Sequence, residues 1–269
     1  MKACAFEYER ARDVSDAVKL LSSEGAKVAA GMQSLGPMLN LRVVQPSLLV
    51  DIRRVEELRT IREEGDTLAL GACVTHAEIE DGRVPGPTGA FLQRVASRIA
   101  YRAVRNRGTI GGSLAHADPA ADWPSALALL GGIAIVAGPS GRREIPLDRF
   151  VTGLFSTDLA SDEIVVSLRL QKLGAKARFG WWKFCRKAGE FAQAIAGALE
   201  ERERGVARAV IGATAGAPFV ETGNRRLFEK PDLDACLAAA DKAGLGADVY
   251  SRRLHAVALQ RAIAEAQRR

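Results

Sequence analysis

Cysteine, aromatic residues and long apolar runs are all scarce in this sequence, and each scarcity removes a class of protein. The four cysteines, Cys4, Cys73, Cys185 and Cys236, are widely spaced and form no C-x-x-C pair. That spacing argues against a disulfide framework, against structural zinc, and against an iron–sulfur cluster held by this chain alone. Free thiols are the expectation. No run approaches the roughly 20 consecutive apolar residues that span a bilayer, so no membrane span is expected. The start, MKACAFEYERARD, places charges where a secretory signal carries its apolar stretch. A cytoplasmic location follows as the expectation.

Aromatics are 6% of residues, and the net charge of +6 is spread over scattered arginines. The densest groups are Arg102/Arg105/Arg107, Arg225/Arg226 and Arg268/Arg269. A nucleic-acid surface needs a clustered basic face with stacking aromatics, so no nucleic-acid partner is expected. A phosphate-bearing cofactor or an acidic partner suits the charge better. Also missing are a G-x-G-x-x-G after a strand, a P-loop, an H-E-x-x-H and a G-x-S-x-G. His76 and His255 fall on expected helices with no evident partner acid or nucleophile, and read as surface or capping residues.

What is present is a 269-residue chain, 48% hydrophobic, long enough for a sizeable core and for two domains. Ser15 reads as an N-cap for a helix closed by Gly25. Lys27–Ala30 reads as a strand, Met38–Arg42 as a helical turn, and Leu48–Ile52 as a second strand. Arg59–Val74 has the pattern of a hairpin turning at Gly65-Asp66. Thr75 and Glu78 have capping-box spacing. A Gly/Pro-rich loop, 82–89, precedes a helix with Phe91, Leu92, Val95 and Ile99 on one face. Strands follow at Ile133–Val136 and Ile164–Leu170, and a composition shift at Leu173–Arg178 marks a candidate domain boundary. Beyond it RFGWWKFCR and VARAVIGAT read as strands, and Tyr250–Gln267 as a helix. Phe191–Glu201 is ambiguous, because its alanines favour a helix. The irregular interleaving of strands and helices indicates an α+β fold.

Two glycine-bearing segments can carry chemistry. The first is Ala29-Ala30-Gly31-Met32-Gln33-Ser34-Leu35-Gly36. Its glycines allow close backbone approach, its successive N–H groups can form an anion-binding nest, and Ser34 adds a hydroxyl. The second is Thr109-Ile110-Gly111-Gly112-Ser113, leading into His116, Asp118 and Asp122. One His and two Asp make an incomplete metal set, so no metal is expected. An Asp here is suited to accept hydrogen bonds from ribose hydroxyls. Either segment alone is compatible with an ordinary turn.

Together they resemble the FAD-binding medium subunits of the molybdenum hydroxylase family (carbon monoxide dehydrogenase and xanthine dehydrogenase type). The stretches that carry the likeness are AAGMQSLGPMLNLRVVQPSLLVDI and NRGTIGGSLAHADPAADWP, with THAEIE, DEIVVSLRL, KFCRKAGEFA and RRLHAVALQRAIAEA in family order. It runs from about Phe6 to the C-terminus. The resemblance implies a two-lobed FAD-binding (PCMH-type) domain over 1–172, with lobes at about 1–55 and 56–172. A C-terminal domain over 173–269, with a three-stranded antiparallel sheet and helices, is implied to follow.

It implies FAD extended between the lobes, its diphosphate held by Ala29 to Gly36 and by Thr109 to Ser113. Asp122 would contact the adenosine side, with Asp118 in the same tract and Ile99 and Val165 lining the site. Lys183 matches a lysine near the flavin, and Phe191 a position where an aromatic lies against the isoalloxazine. It also makes the ambiguous 191–199 segment a strand. Met32, Ser113 and Phe191 stand where glycine, asparagine and tyrosine are common. No catalytic residue is implied on this chain. Molybdopterin on a large subunit and [2Fe–2S] clusters on a small one are implied, in a dimer of heterotrimers. Two readings remain beside it: a stand-alone NAD(P)H-dependent flavin reductase on the same fold, and a flavin-free binding or assembly module.

Overall fold

A computed structural model describes residues 2–268. The first lobe runs β1 (Glu7–Arg10), α1 (Val14–Leu21), β2 (Ala26–Ala29), α2 (Leu35–Asn40) and β3 (Leu48–Asp51). Its sheet is parallel, in the order β1-β3-β2. Helix α1 is capped by Asp13, whose side chain accepts from Asp16 N at 2.8 Å. Ser15, expected as the cap, lies inside the helix instead. Asp and Ser are both good caps, and Val14 can enter the helix only if the cap precedes it. Central strand β3 is buried along its whole length, as parallel strands are. At its end buried Asp51 accepts hydrogen bonds from Tyr8 Oη and, at 2.9 and 2.8 Å, from Arg53. Burial pushes this carboxyl up, but the Arg53 and Tyr8 bonds outweigh burial and hold it well below the usual range.

The second lobe contains β4 (Ile61–Glu64), β5 (Thr67–Gly71), α3 (His76–Glu80), α4 (Gly86–Ala96), α5 (Arg102–Arg105), α6 (Ile110–His116) and α7 (Asp122–Leu130). It ends with β6 (Ile133–Gly138), β7 (Gly141–Pro146), the small pair β8 (Val151–Gly153) and β9 (Ser156–Thr157), and β10 (Ile164–Gln171). Five strands form one antiparallel sheet in the order β4-β5-β10-β6-β7. The hairpin turns at Gly65, φ +57°, as its sequence requires. The Thr75–Glu78 capping box forms in full. Helix α4 begins at Gly86, inside the expected loop, with Pro85 as its cap.

The C-terminal domain has three long antiparallel strands, β11 (Arg178–Phe184), β12 (Ala194–Glu201) and β13 (Val206–Gly212), and a short fourth, β14 (Phe219–Thr222). Helices α8 (Arg225–Glu229), α9 (Leu233–Ala240) and α10 (Val249–Arg268) follow. The ambiguous alanine-rich segment is a strand because both its faces are buried. Ala194, Ala196 and Ala198 meet the alanines of α10, among them Ala258 and Ala262. Ile195 and Leu199 join the large core around α7 and the five-stranded sheet. Small residues let α10 approach closely: a Cβ on Gly180 would lie 1.9 Å from Ala262 O. One continuous core thus joins this domain to the second lobe.

Candidate functional site

The glycine segments end up side by side, although nearly eighty residues separate them. Gly31 lies so close to the chain before the second segment that a Cβ would fall 2.3 Å from Arg107 O and 2.7 Å from Gly108 Cα. A Cβ on Gly112 would lie 3.6 Å from Ala30 Cβ. Backbone against backbone at these distances admits only glycine.

Their hydrogen bonding differs. In the first segment the backbone N–H groups of Gly31, Met32, Gln33, Ser34 and Leu35 have no acceptor among the described residues; Gly36 N, one residue on, bonds Met32 O at 3.0 Å. Five successive unpaired donors beside a tight turn suit an anion. Gly36 is open, with nothing within 4 Å of a Cβ built there. The second segment is not an irregular loop but the start of α6. Thr109 caps it by accepting from Gly112 N at 3.1 Å, while Ile110 N and Gly111 N bond Val74 O and Ala72 O at 3.0 and 2.9 Å. Ser113 N is taken by Thr109 O at 3.0 Å. Its amides from Ile110 to Ser113 are therefore committed to the fold. What it offers a ligand is the half-exposed surface of Gly112 and Ser113.

Met32 has φ +61°, a left-handed conformation that costs an ordinary residue roughly 1–2 kcal/mol. The glycine that the resemblance implies at this position would thus have a conformational reason. Met32 is tolerated because its half-buried side chain packs against the cluster of Ala29, Leu39 and Leu49. Met32→Gly trades that packing for relief of strain and is expected to stay within about 1 kcal/mol of the parent. Met32→Val, β-branched in a left-handed position, is expected to lose about 1–2 kcal/mol in urea unfolding.

The His116–Asp118–Asp122 tract is divided among three tasks. The His116 ring lies 5.2 Å from that of Phe155. Asp118 Oδ1 accepts from Ala120 N at 2.9 Å, forming a local turn. Asp122, at the first position of α7, is 3% exposed, and its Oδ2 accepts from Lys183 Nζ at 2.7 Å. Lys183 Nζ also reaches Arg98 O at 3.3 Å. Burial pushes the Asp122 carboxyl up, against the opposing field of Lys183. Asp122 Oδ1 has no hydrogen-bond partner among the described residues.

The Asp122 carboxylate is engaged by Lys183 rather than presented to an open groove, and the lysine's charge is neutralised where it stands. Ile99 is partly buried against the main core, and Val165 is 5% exposed on β10. Phe191 is 63% exposed, on the loop between β11 and β12.

Sequence reasoning missed the buried histidines. His76 is 5% exposed and its Nδ1 accepts from Trp123 Nε1 at 3.0 Å. Burial, helped by the nearby Arg105, pushes its pKa down to about 3, so it is neutral at ordinary pH. His76 N donates to Gly108 O at 2.9 Å, which fixes the approach to the second segment. His255 is fully buried, with Nε2 3.1 Å from Gly212 O and Nδ1 2.7 Å from Ser251 O. Neither is a surface or capping residue. Apart from Ser251, one helical turn before His255, the partners of their side chains, Trp123 and Gly212, lie 47 and 43 residues away in sequence, where no local pattern reveals them.

A two-lobed arrangement with paired glycine segments, backed by an antiparallel domain, defines a class of flavoprotein. Residues 4–171 match the family described as the FAD binding domain in molybdopterin dehydrogenase. The chain is 37% identical over 245 residues to the carbon monoxide dehydrogenase medium chain of Hydrogenophaga pseudoflava, covering 88% of this chain and 85% of that one. It is 31% identical over 214 residues to the caffeine dehydrogenase subunit beta of Pseudomonas sp. (strain CBB1), covering 77% and 72%. Among solved structures, carbon monoxide dehydrogenase from Hydrogenophaga pseudoflava superposes with a TM-score of 0.87 at 32% identity, over 100% of this chain and 99% of that one. Reconstituted CO dehydrogenase from Oligotropha carboxidovorans gives 0.90 at 28% identity, over 100% of both.

The chain belongs to the FAD-binding medium subunits of the molybdenum hydroxylase family. It is the flavoprotein component of an oxidoreductase. No helix among the described residues is long and apolar enough to cross a membrane.

Proposed function

We propose that this chain carries FAD as the electron-transfer subunit between [2Fe–2S] clusters on a small partner subunit and an external acceptor. Substrate is oxidised at molybdopterin on a large partner subunit, and the complex is a cytoplasmic dimer of heterotrimers. The domain division falls at residues 172/173, after β10. When bound, FAD accepts electrons singly or in pairs, while the protein supplies position and electrostatics.

The observation that carries the reading is the run of unpaired amides from Gly31 to Leu35, held against the second segment. In this reading those amides, with Ser34, hold the diphosphate. Gly112 and Ser113 form the opposite wall, and Phe191 stands at the isoalloxazine end. The ligands of the other cofactors belong, in this reading, to the partner subunits.

Denaturing the purified chain and identifying the released cofactor tests this directly. FAD, bound non-covalently, is the expected result. FMN, NADPH, or no flavin even after FAD has been added, overturns the reading. NAD(P)H-dependent turnover by the isolated chain favours the stand-alone reductase instead.

A further inference from the structure

Residues 185–193 form a loop between β11 and β12 that has little core of its own. Arg186, Lys187, Glu190 and Phe191 are all exposed. Such segments open readily unless they are tied down. At its base the loop is closed by Gln193 N donating to Phe184 O at 2.8 Å. Within it Glu190 N donates to Lys187 O at 3.2 Å, and its other ties run to the FAD-binding domain. Lys183, two residues before the loop, is fixed by Asp122. Ala192 N donates to Ala120 O at 3.4 Å. Tyr101 Oη donates to Ala188 O at 3.1 Å.

Tyr101 is the informative member. It is 65% exposed, so core packing does not account for its ring. The ring lies against Gly189, where a Cβ would fall 2.8 Å from Tyr101 Cζ, and Gly189 has φ +87°. The loop is shaped to pass over this one side chain.

We propose that Tyr101, together with the Asp122–Lys183 pair at the end of β11, is a positioning residue for the flavin site. It sets the 185–193 loop, and through it Phe191, on the FAD-binding domain. This rests on the functional reading above for the flavin's place, but the tie itself does not.

Arg186 and Lys187 make the loop a trypsin target, so its opening can be read without flavin. Tyr101→Phe and Tyr101→Ala are compared with the parent in the full chain, with cleavage at these two sites measured by mass spectrometry relative to cleavage at Arg42. Loss of the hydroxyl bond alone is expected to speed loop cleavage about fivefold. Loss of the ring as well should raise this to about tenfold or more, because cleavage follows the open population. With FAD loaded, flavin fluorescence yield and midpoint potential should shift in Tyr101→Ala and less in Tyr101→Phe. A merely structural tyrosine does not produce that graded flavin signature.

Unchanged loop cleavage in both variants overturns the tie. Faster cleavage with unaltered fluorescence and potential overturns the positioning role. If the parent chain takes up no FAD, the functional reading and the flavin role fail together, and the cleavage arm still decides whether Tyr101 holds the loop.

Discussion

Lys183→Met is expected to destabilise the protein by about 3–5 kcal/mol, because it leaves a carboxylate buried without its counter-ion. Both side chains of the pair are buried, Lys183 4% and Asp122 3% exposed, with 2.7 Å between Nζ and Oδ2. At this chain length the loss corresponds to a fall of roughly 10 °C in thermal midpoint. Asp122→Asn combined with Lys183→Met removes both charges and should recover most of it, since replacing a whole buried pair is far cheaper than breaking one. A double-mutant cycle is the measurement. A loss in the double variant equal to the sum of the two single losses would show that the pair is not coupled.

The deficit should also depend on pH. Burial already pushes Asp122 up, and without Lys183 nothing of comparable strength opposes it. A carboxyl whose folded pKa exceeds its unfolded one supports the fold fully below the unfolded value, and loses that support as pH rises through the folded value. Lys183→Met should therefore lie closer to the parent at pH 5 than at pH 8.

Much of this fold is legible locally, and the exceptions share a cause. The capping box at Thr75 and Glu78 and the turn at Gly65 are set by residues within three or four positions of each other, and both form as the sequence indicates. Strand β12 is misleading when read alone. Its alanines carry helix propensity, yet their alternation fits a strand pressed between α10 and the main core. The second glycine segment likewise reads as a loop because glycine is a poor helix former. Thr109 and the carbonyls of Ala72 and Val74 make it a helix start.

The candidate site divides in the same way. The two glycine segments are visible in the chain because backbone approach restricts residue type wherever it occurs. Asp122 is visible as an unusual acid, but its partner lies 61 residues away, so a ligand-facing role and an ion pair look alike in sequence. Tyr101 carries no signal at all. An exposed tyrosine is ordinary, and only the loop crossing it gives it meaning.

Gly31→Ala is the variant expected to damage flavin binding most. The added methyl would sit 2.3 Å from Arg107 O and 2.7 Å from Gly108 Cα. Both are backbone atoms and cannot rotate away, so the two segments must separate by about an ångström to restore ordinary contact. Strain of this kind costs roughly 1–3 kcal/mol in the protein alone. The larger effect falls on the ligand. In the proposed site, moving the Gly31–Leu35 amides off the opposite wall forfeits about two hydrogen bonds to a charged diphosphate, each worth roughly 1.5–3 kcal/mol. FAD affinity should fall about 100-fold or more, measured by flavin fluorescence titration of the apoprotein. Gly36→Ala is the matched control, because nothing lies within 4 Å of its Cβ position. Its apoprotein should melt with the parent, so any loss of affinity there reports ligand contact alone. A Gly31→Ala protein that binds FAD as tightly as the parent would mean that the close approach of the two segments serves the fold and not the cofactor.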